Sequence, residues 1–442
     1  MDVKLSDHFD FKRLLKFVLP SIIMMIFASI YSIVDGFFVS NFVGKEAFTA
    51  VNLIMPALMI ISGIGFIFGT GGSAIVSKTL GEGDEKRARK YFSLIVYAAI
   101  VLGIILSAIG FAVIGKVAEL LGAKGAVYDY CVLYGKILLI GSVGFILQNT
   151  FQSLLVTANR PDIGLKVTIA AGCCNIVLDL LFVGVFKWGI IGAATATVVS
   201  QWVGGGIPLI YFIFKRNQTL YLSDTSLDLK VLTRVFTNGL SEFTTNIAMS
   251  VTSMCYNFQL LKYLGDDGVA AYGVVMYVGF IFVAIFIGFS VGTAPIVGFN
   301  YGAKNREELN GILKKSIGFN VVSGAAMLIL AQLSAGLIAR LYAGYDQTLC
   351  ELTTIAMRIY GLSFLVSGLN IFSSGFFTAL NNGFISAMIA LLRTFIFPVA
   401  CVFILPAVSG VNAIWFAAPI AEVLALCVSI VFLVANKKRY GY

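Results

Sequence analysis

The stretch Tyr31-Ser-Ile-Val-Asp-Gly-Phe-Phe-Val-Ser40 sets one carboxylate, Asp35, near the middle of an apolar run from about Phe17 to Val43. A run of that length matches a membrane-crossing helix, because roughly 20 apolar residues span the hydrocarbon core. An ionised side chain at such depth is costly unless it is paired, solvated or ion-bound. Asp35 is therefore the first candidate functional residue. Helix one supplies it with no base of its own, since Lys16 lies about five turns away and reaches toward the interface.

The rest of the chain agrees with a membrane setting. It has 442 residues, 59% hydrophobic and 12% charged, with a mean hydropathy of +0.94. No soluble domain has that balance. Apolar segments recur twelve times, near residues 14–40, 48–77, 91–117, 128–157, 163–186, 189–214, 234–262, 268–299, 313–340, 351–380, 384–406 and 410–436. Lipid-exposed backbone must satisfy its own hydrogen bonds, so the expected fold class is all-α integral membrane with 12 transmembrane helices. The seven cysteines show no CxxC spacing, which indicates neither a disulfide framework nor a zinc site. The single histidine, His8, sits in the polar N-terminus and removes most histidine-dependent metal and nucleophile chemistry. That terminus does not read as a cleavable signal peptide, because the first apolar run is full length and lacks a small-residue cleavage site.

Charge then orients the chain. Of 31 Lys and Arg residues, 23 fall on one side, in the N-terminus, the even-to-odd loops and the Lys437-Lys438-Arg439 tail. The other side keeps eight, among them Lys45, Lys187, Arg340 and Arg358. A positive-inside bias with twelve spans predicts that both termini are cytoplasmic. The net charge of +9 is thereby a matter of topology, and no nucleic-acid surface is needed.

A shift of 221 residues, half the length, lays the chain on itself. Gly71-Gly-Ser-Ala-Ile-Val76 falls on Gly292-Thr-Ala-Pro-Ile-Val297, Gly81 on Gly302, and Asn149-Thr-Phe-Gln-Ser153 on Asn370-Ile-Phe-Ser-Ser374. Six helices plus six give parallel halves about an axis along the membrane normal, an arrangement that rocks around a midplane site. The expectation is two pseudo-symmetric six-helix lobes, residues 1–215 and 234–442, joined by a polar linker, 216–233.

Only four acidic residues fall inside the spans away from their ends: Asp35, Asp179, Glu242 and Glu422. On helix five, Asn175 and Asp179 are spaced i, i+4 and project from one face. Helix six adds Thr195 and Thr197. Carboxylates with amide and hydroxyl oxygens make a cage for a hard cation such as Na+, share a proton, or form a structural network. In the second half Asp35 matches Tyr256 and Asp179 lies near Cys401, so the acidic cluster occurs once. Arg393 on helix eleven is a candidate partner for Glu242 or Glu422. Pro20 can bend helix one by removing a backbone donor. The small residues of Gly69-Thr-Gly-Gly-Ser-Ala74 and Gly204-Gly-Gly206 suit close helix packing. Gln148, Asn149, Tyr256 and Met276 are further candidates for a cavity wall, with Phe37, Phe38, Met249, Met254, Phe258, Tyr272, Tyr277 and Phe280 as possible aromatic and methionine lining.

The duplicated twelve-helix plan, Pro20 and Asp35 in helix one, and Asn175-x3-Asp179 followed by Thr197 resemble the MATE (multidrug and toxic compound extrusion) transporters over nearly the whole chain, and among them the MepA-type group of Gram-positive bacteria. The resemblance implies a cation-coupled antiporter of the bacterial plasma membrane that expels lipophilic, mostly cationic compounds between V-shaped lobes. It implies no cofactor beyond Na+ or H+ as coupling ion, and no obligate protein partner. It carries the family's cation site onto Asp35, Asn175, Asp179 and Thr197, and a helix-seven glutamate onto Glu242. Helix ten departs from the pattern, since Tyr360–Leu380 holds no carboxylate. The alternative on the same architecture, a lipid-linked oligosaccharide flippase, calls for a base-rich groove, whereas nearly all bases here lie in loops, with Arg393 the exception. An intramembrane enzyme would need a catalytic constellation that the residues do not supply.

Overall fold

A computed structural model describes residues 4–38, 43, 45–344 and 346–442, the side chains of 32–38, 45, 48, 56 and 62 excepted. The described residues are overwhelmingly helical and contain no strand. We number the helices by pass. α1 is Phe11–Phe38, and α2 runs from Lys45–Phe66 through a π-turn, Ile67–Gly71, into Gly72–Gly81. α3 is Glu85–Leu120, α4 Ala126–Thr157, α5 Pro161–Asp179 with a π-turn at Leu180–Val185, and α6 Gly189–Phe214.

The next helical stretch, Leu229–Gly302, is 74 residues long. At about 1.5 Å per residue it would be over three bilayer cores in length. It is broken at Gly265, where φ is 64° and ψ −155°, so residues 229–264 form α7 and 266–302 form α8. α9 is Arg306–Ala343, and α10 is a pair, Gln347–Gly361 and Phe364–Ala379, bent by 48°. α11 runs from Gly383–Leu391 through the π-turn Leu392–Ile396 to Phe397–Ser409, and α12 from Val411–Phe416 into Ala417–Tyr440. Among the described residues ten helices are long and apolar enough to cross a membrane, and the bent pair adds an eleventh. The Gly265 break supplies the twelfth pass.

Side-chain caps fix several helix ends. Asp84, Asp228, Asn305, Asp346 and Asn382 each accept a hydrogen bond from an amide in the first turn of α3, α7, α9, α10 and α11, satisfying donors that the helix leaves orphaned. The Asp228 cap starts α7 at Leu229, so the connection is shorter than the expected 216–233. Nor is that connection loose. Leu220 and Leu222 are buried, the Ser223 amide donates to Ser93 Oγ at 2.9 Å, and the Arg89 guanidinium lies 4.1 Å from the Tyr221 ring centre.

Turn geometry repeats with the 221-residue period. Gly83 and Lys304, then Gly189 and Gly410, are pairs at that separation, and all four have positive φ. One hydrophobic cluster lies within the first half and one within the second, and another, centred on α2 to α4, reaches Leu220, Leu222 and, on α7, Val231 and Val235. A fourth joins them, packing Leu5, Phe9, Phe17 and Val156 against Phe289, Ile296 and Leu313. Between the halves, backbones approach through glycine. Gly288 and Gly292 of α8 sit on Ile22 and Val18 of α1, and Gly239 of α7 sits on Ile67 in the α2 π-turn. At the ends of α2 and α8, a Cβ on Gly81 would collide with the Phe299 carbonyl, and one on Gly302 with that of Lys78. Away from these contacts the helices present apolar residues outward, such as Ile109, Leu333 and Leu341, as lipid requires.

Candidate functional site: a polar chamber in the first half

α5 brings Asn175 inward at 2% exposure, and one turn on, Asp179 at 0%. Their i, i+4 spacing puts both on the buried face. α6 crosses them after the left-handed Lys187–Gly189 turn, and presents Thr197, Ser200 and Gln201. α4 adds Ser142 and Gln148, and α1 adds Tyr31. Together with Met55, Leu58, Met59, Ile61, Leu138, Leu139 and Phe145, these residues wall a cavity of about 110 Å³.

Small residues make the chamber possible. Gly172 of α5 leaves room for the Tyr31 ring, whose Cδ1 would stand 3.1 Å from an added Cβ. Gly204 of α6 lies against Gln148, with a Cβ there only 2.6 Å from its Cδ. The expected small-residue packing holds for α2 as well, where a Cβ added to Gly72 would stand 3.0 Å from the Ile95 side chain.

The chamber's polar groups are poorly spent. Thr197 Oγ1 donates to the Ala193 carbonyl at 3.0 Å and Ser200 Oγ to that of Thr197 at 2.8 Å, leaving both hydroxyl oxygens able to accept. Asn175 Nδ2, Gln201 Oε1 and Ser142 Oγ are buried with no hydrogen-bond partner among the described residues. Each such orphan costs about 1–3 kcal/mol. Three such atoms belong to residues on the wall of one cavity. Among the described residues no three His, Cys, Asp or Glu side chains gather, and the cavity wall offers amide and hydroxyl oxygens from Gln148, Asn175, Thr197, Ser200 and Gln201, oxygen donors of the kind that suits a hard ion.

The structure thus brings together Asn175, Thr197 and Gln148, with Asp179 a turn beyond. The Asp35 side chain, like those of Phe37 and Phe38, lies outside the described residues. Thr195 is not on the cavity wall. Asn149 is buried against α2, its Cβ 2.9 Å from where a Gly65 Cβ would lie. Pro20 lies inside α1, which is assigned as one helix from Phe11 to Phe38, and Gly288 of α8 packs on the adjoining turn at Ser21 and Ile22.

The other candidates belong to the second half and do not join this chamber. Tyr256 is buried and stacks on Tyr272, ring centres 4.8 Å apart. Met276 packs on the same core, and Glu242 is half-buried on α7. Sequence reasoning missed Tyr31, Ser142, Ser200 and Gln201. The Thr197–Gln201 pair carried the same i, i+4 signal as Asn175–Asp179.

A polar chamber inside a twelve-pass apolar bundle of two like halves defines a membrane transporter. The chain belongs to the MatE family, whose model matches residues 20–181 and again 243–404. It is 25% identical over 431 residues to the multidrug export protein MepA of Staphylococcus saprophyticus, covering 97% of this chain and 94% of that protein. To the MepA of Staphylococcus aureus it is 25% identical over 437 residues, with the same coverage. In fold it is similar to an outward-facing multidrug resistance MATE family transporter, with a TM-score of 0.93 and 21% identity over 98% of this chain and 97% of that one.

Proposed function

We propose that the protein is a cation-coupled exporter of lipophilic, mostly cationic compounds in a bacterial plasma membrane, with both termini cytoplasmic. The observation that carries this reading is the first-half chamber, where Asn175 and Thr197 face a cavity with unspent polar atoms. The names of the MepA relatives support multidrug export as the activity, and the charge asymmetry of the loops supports the orientation.

In this scheme Na+ or H+ enters from outside and binds at Asp35, Asn175, Asp179 and Thr197. Binding disfavours the drug-loaded outward form and drug leaves. The halves then rock, the ion departs to the cytoplasm, and new drug enters. Coupling requires that ion and drug differ in affinity between the two states.

The test is ethidium efflux from energised cells expressing wild type, Asp35→Asn and Asp179→Asn, under a sodium gradient alone and a proton gradient alone. Efflux driven by sodium and lost in both variants supports an ion cage. Efflux driven by protons and lost in both makes the same carboxylates a proton relay. Full efflux by either variant at normal expression removes these residues from coupling, and absence of wild-type efflux under both gradients overturns the export reading.

A further inference from the structure

A groove of about 520 Å³ lies on the outside of the second half, where α10 bends over α9, apart from the polar chamber. Leu328, Ile329 and Leu333 of α9 form one wall, Ile359 of α10 the other, and Leu362 stands at the bend itself. Two contacts fix the floor. Gln332 Nε2 donates to the Arg358 carbonyl at 2.8 Å, and Gly361 lets the helices close until an added Cβ would stand 3.0 Å from that of Ala331. No described residue covers the walls, since Ile329 is 58% and Leu333 78% exposed. In a membrane-spanning bundle such open apolar faces meet lipid tails.

One lining residue does not suit lipid tails. Arg358, grouped with the loop bases by its place in the sequence, lies about three turns into α10 and is exposed along the groove. It is the only charged residue between Glu351 and Arg393, and the neighbouring α9 has none between Lys315 and Arg340. At about 1.5 Å per residue it sits about 10 Å deeper along the helix than Glu351. Its guanidinium makes no hydrogen bond or ion pair with any described residue, although its carbonyl does. A charge at membrane depth normally faces the bundle interior with a partner, whereas this one faces lipid without one. Helical side chains lean toward the helix N-terminus, and that of α10 lies on the membrane side opposite the chain termini. The Arg358 arm therefore runs from the hydrocarbon up toward the headgroups of that leaflet, as long basic side chains do. No acidic side chain lines the groove, so a headgroup ammonium finds no partner there and a net negative headgroup does.

We propose that this groove binds an anionic phospholipid of the leaflet opposite the chain termini, the Arg358 guanidinium taking its phosphate group and the α9 and α10 walls an acyl chain. A guanidinium fork matches two phosphate oxygens at once, and basic pockets between membrane helices hold anionic headgroups in the same way. The site lies outside the coupling scheme and does not depend on the export reading.

The test is tryptophan quenching by brominated lipid in vesicles that hold the purified full-length protein. Leu362→Trp places a reporter at the bend, and the signal of the three native tryptophans is subtracted with the parent protein. Dibrominated phosphatidylglycerol should quench the reporter at about fivefold lower mole fraction than dibrominated phosphatidylcholine, the preference that one basic side chain gives an anionic lipid. Adding Arg358→Gln should bring the two lipids to parity, while Arg358→Lys keeps the charge without the fork and should retain part of the preference. Should the first reporter disturb the bend, Ile329→Trp reads the same groove from α9 and is expected to give the same pattern. Equal quenching by the two lipids with Arg358 present, or a preference that survives Arg358→Gln, overturns the proposal. So does relief of quenching by millimolar glycerophosphoglycerol, because the ligand is then a free phosphodiester and not a lipid.

Discussion

On the proposed reading, Asn175 is the residue at which stability and function part company. Its buried Nδ2 has no hydrogen-bond partner among the described residues, so the fold bears a cost that an apolar side chain of similar size would remove. Asn175→Leu is expected to melt at or above the wild-type temperature while its affinity for the coupling cation falls roughly 10- to 100-fold. Thermal melting with and without the ion checks both halves of that statement. Equal losses in stability and ion affinity would make Asn175 an ordinary core residue. Its candidacy was legible because i, i+4 spacing with Asp179 is a property of the local chain. Ser142 and Tyr31 were not legible, because what makes them part of the chamber is the crossing of α1, α4 and α6. Arg393 was legible as a possible partner for either glutamate, but only the pinning of Glu422 by Asn370 decides which one it holds.

At the scale of elements, twelve apolar runs and the break near residue 265 could be read from hydropathy and a loop glycine. The 48° bend in α10 could not. No proline marks it, and both of its segments pack against α9 and α8. The first residues of the chain were equally opaque, reading as a polar tail. In the structure they form a strap between the halves. The Leu5 amide donates to Asn159 Oδ1 at 2.8 Å, in the α4–α5 turn. The Phe9 amide donates to Glu308 Oε1 at 2.9 Å, His8 Nδ1 lies 2.6 Å from Glu308 Oε2, and Lys315 Nζ donates to the Phe9 carbonyl. Glu308 is 7% exposed. Glu308→Ala should therefore strand a buried amide at a cost of about 1–3 kcal/mol and release residues 4–9. Hydrogen exchange of those amides is the measurement, and unchanged protection would rule the strap out.

For the whole molecule, the 221-residue repeat has a mechanical form. Gly81 and Gly302 are repeat partners, and each lies against the backbone of the helix that carries the other. Gly81→Val and Gly302→Val should act alike, each prising apart the ends of α2 and α8 at about 1–3 kcal/mol. Maleimide labelling of a cysteine at Ser77, which is fully buried beside Gly298, should rise by the same degree in both backgrounds. A large effect from only one of them would mean that the two contacts do not form a common closure.

The chamber's size carries one more consequence. At about 110 Å³ it falls well short of the roughly 300–1,000 Å³ that drug-sized ligands occupy. In this shape it accommodates an ion with a few waters and nothing bulkier. If the proposed exchange of ion for drug runs through this chamber, the two guests need no direct repulsion to compete: a chamber of this volume leaves no room for the larger one, and crowding would enforce the exchange.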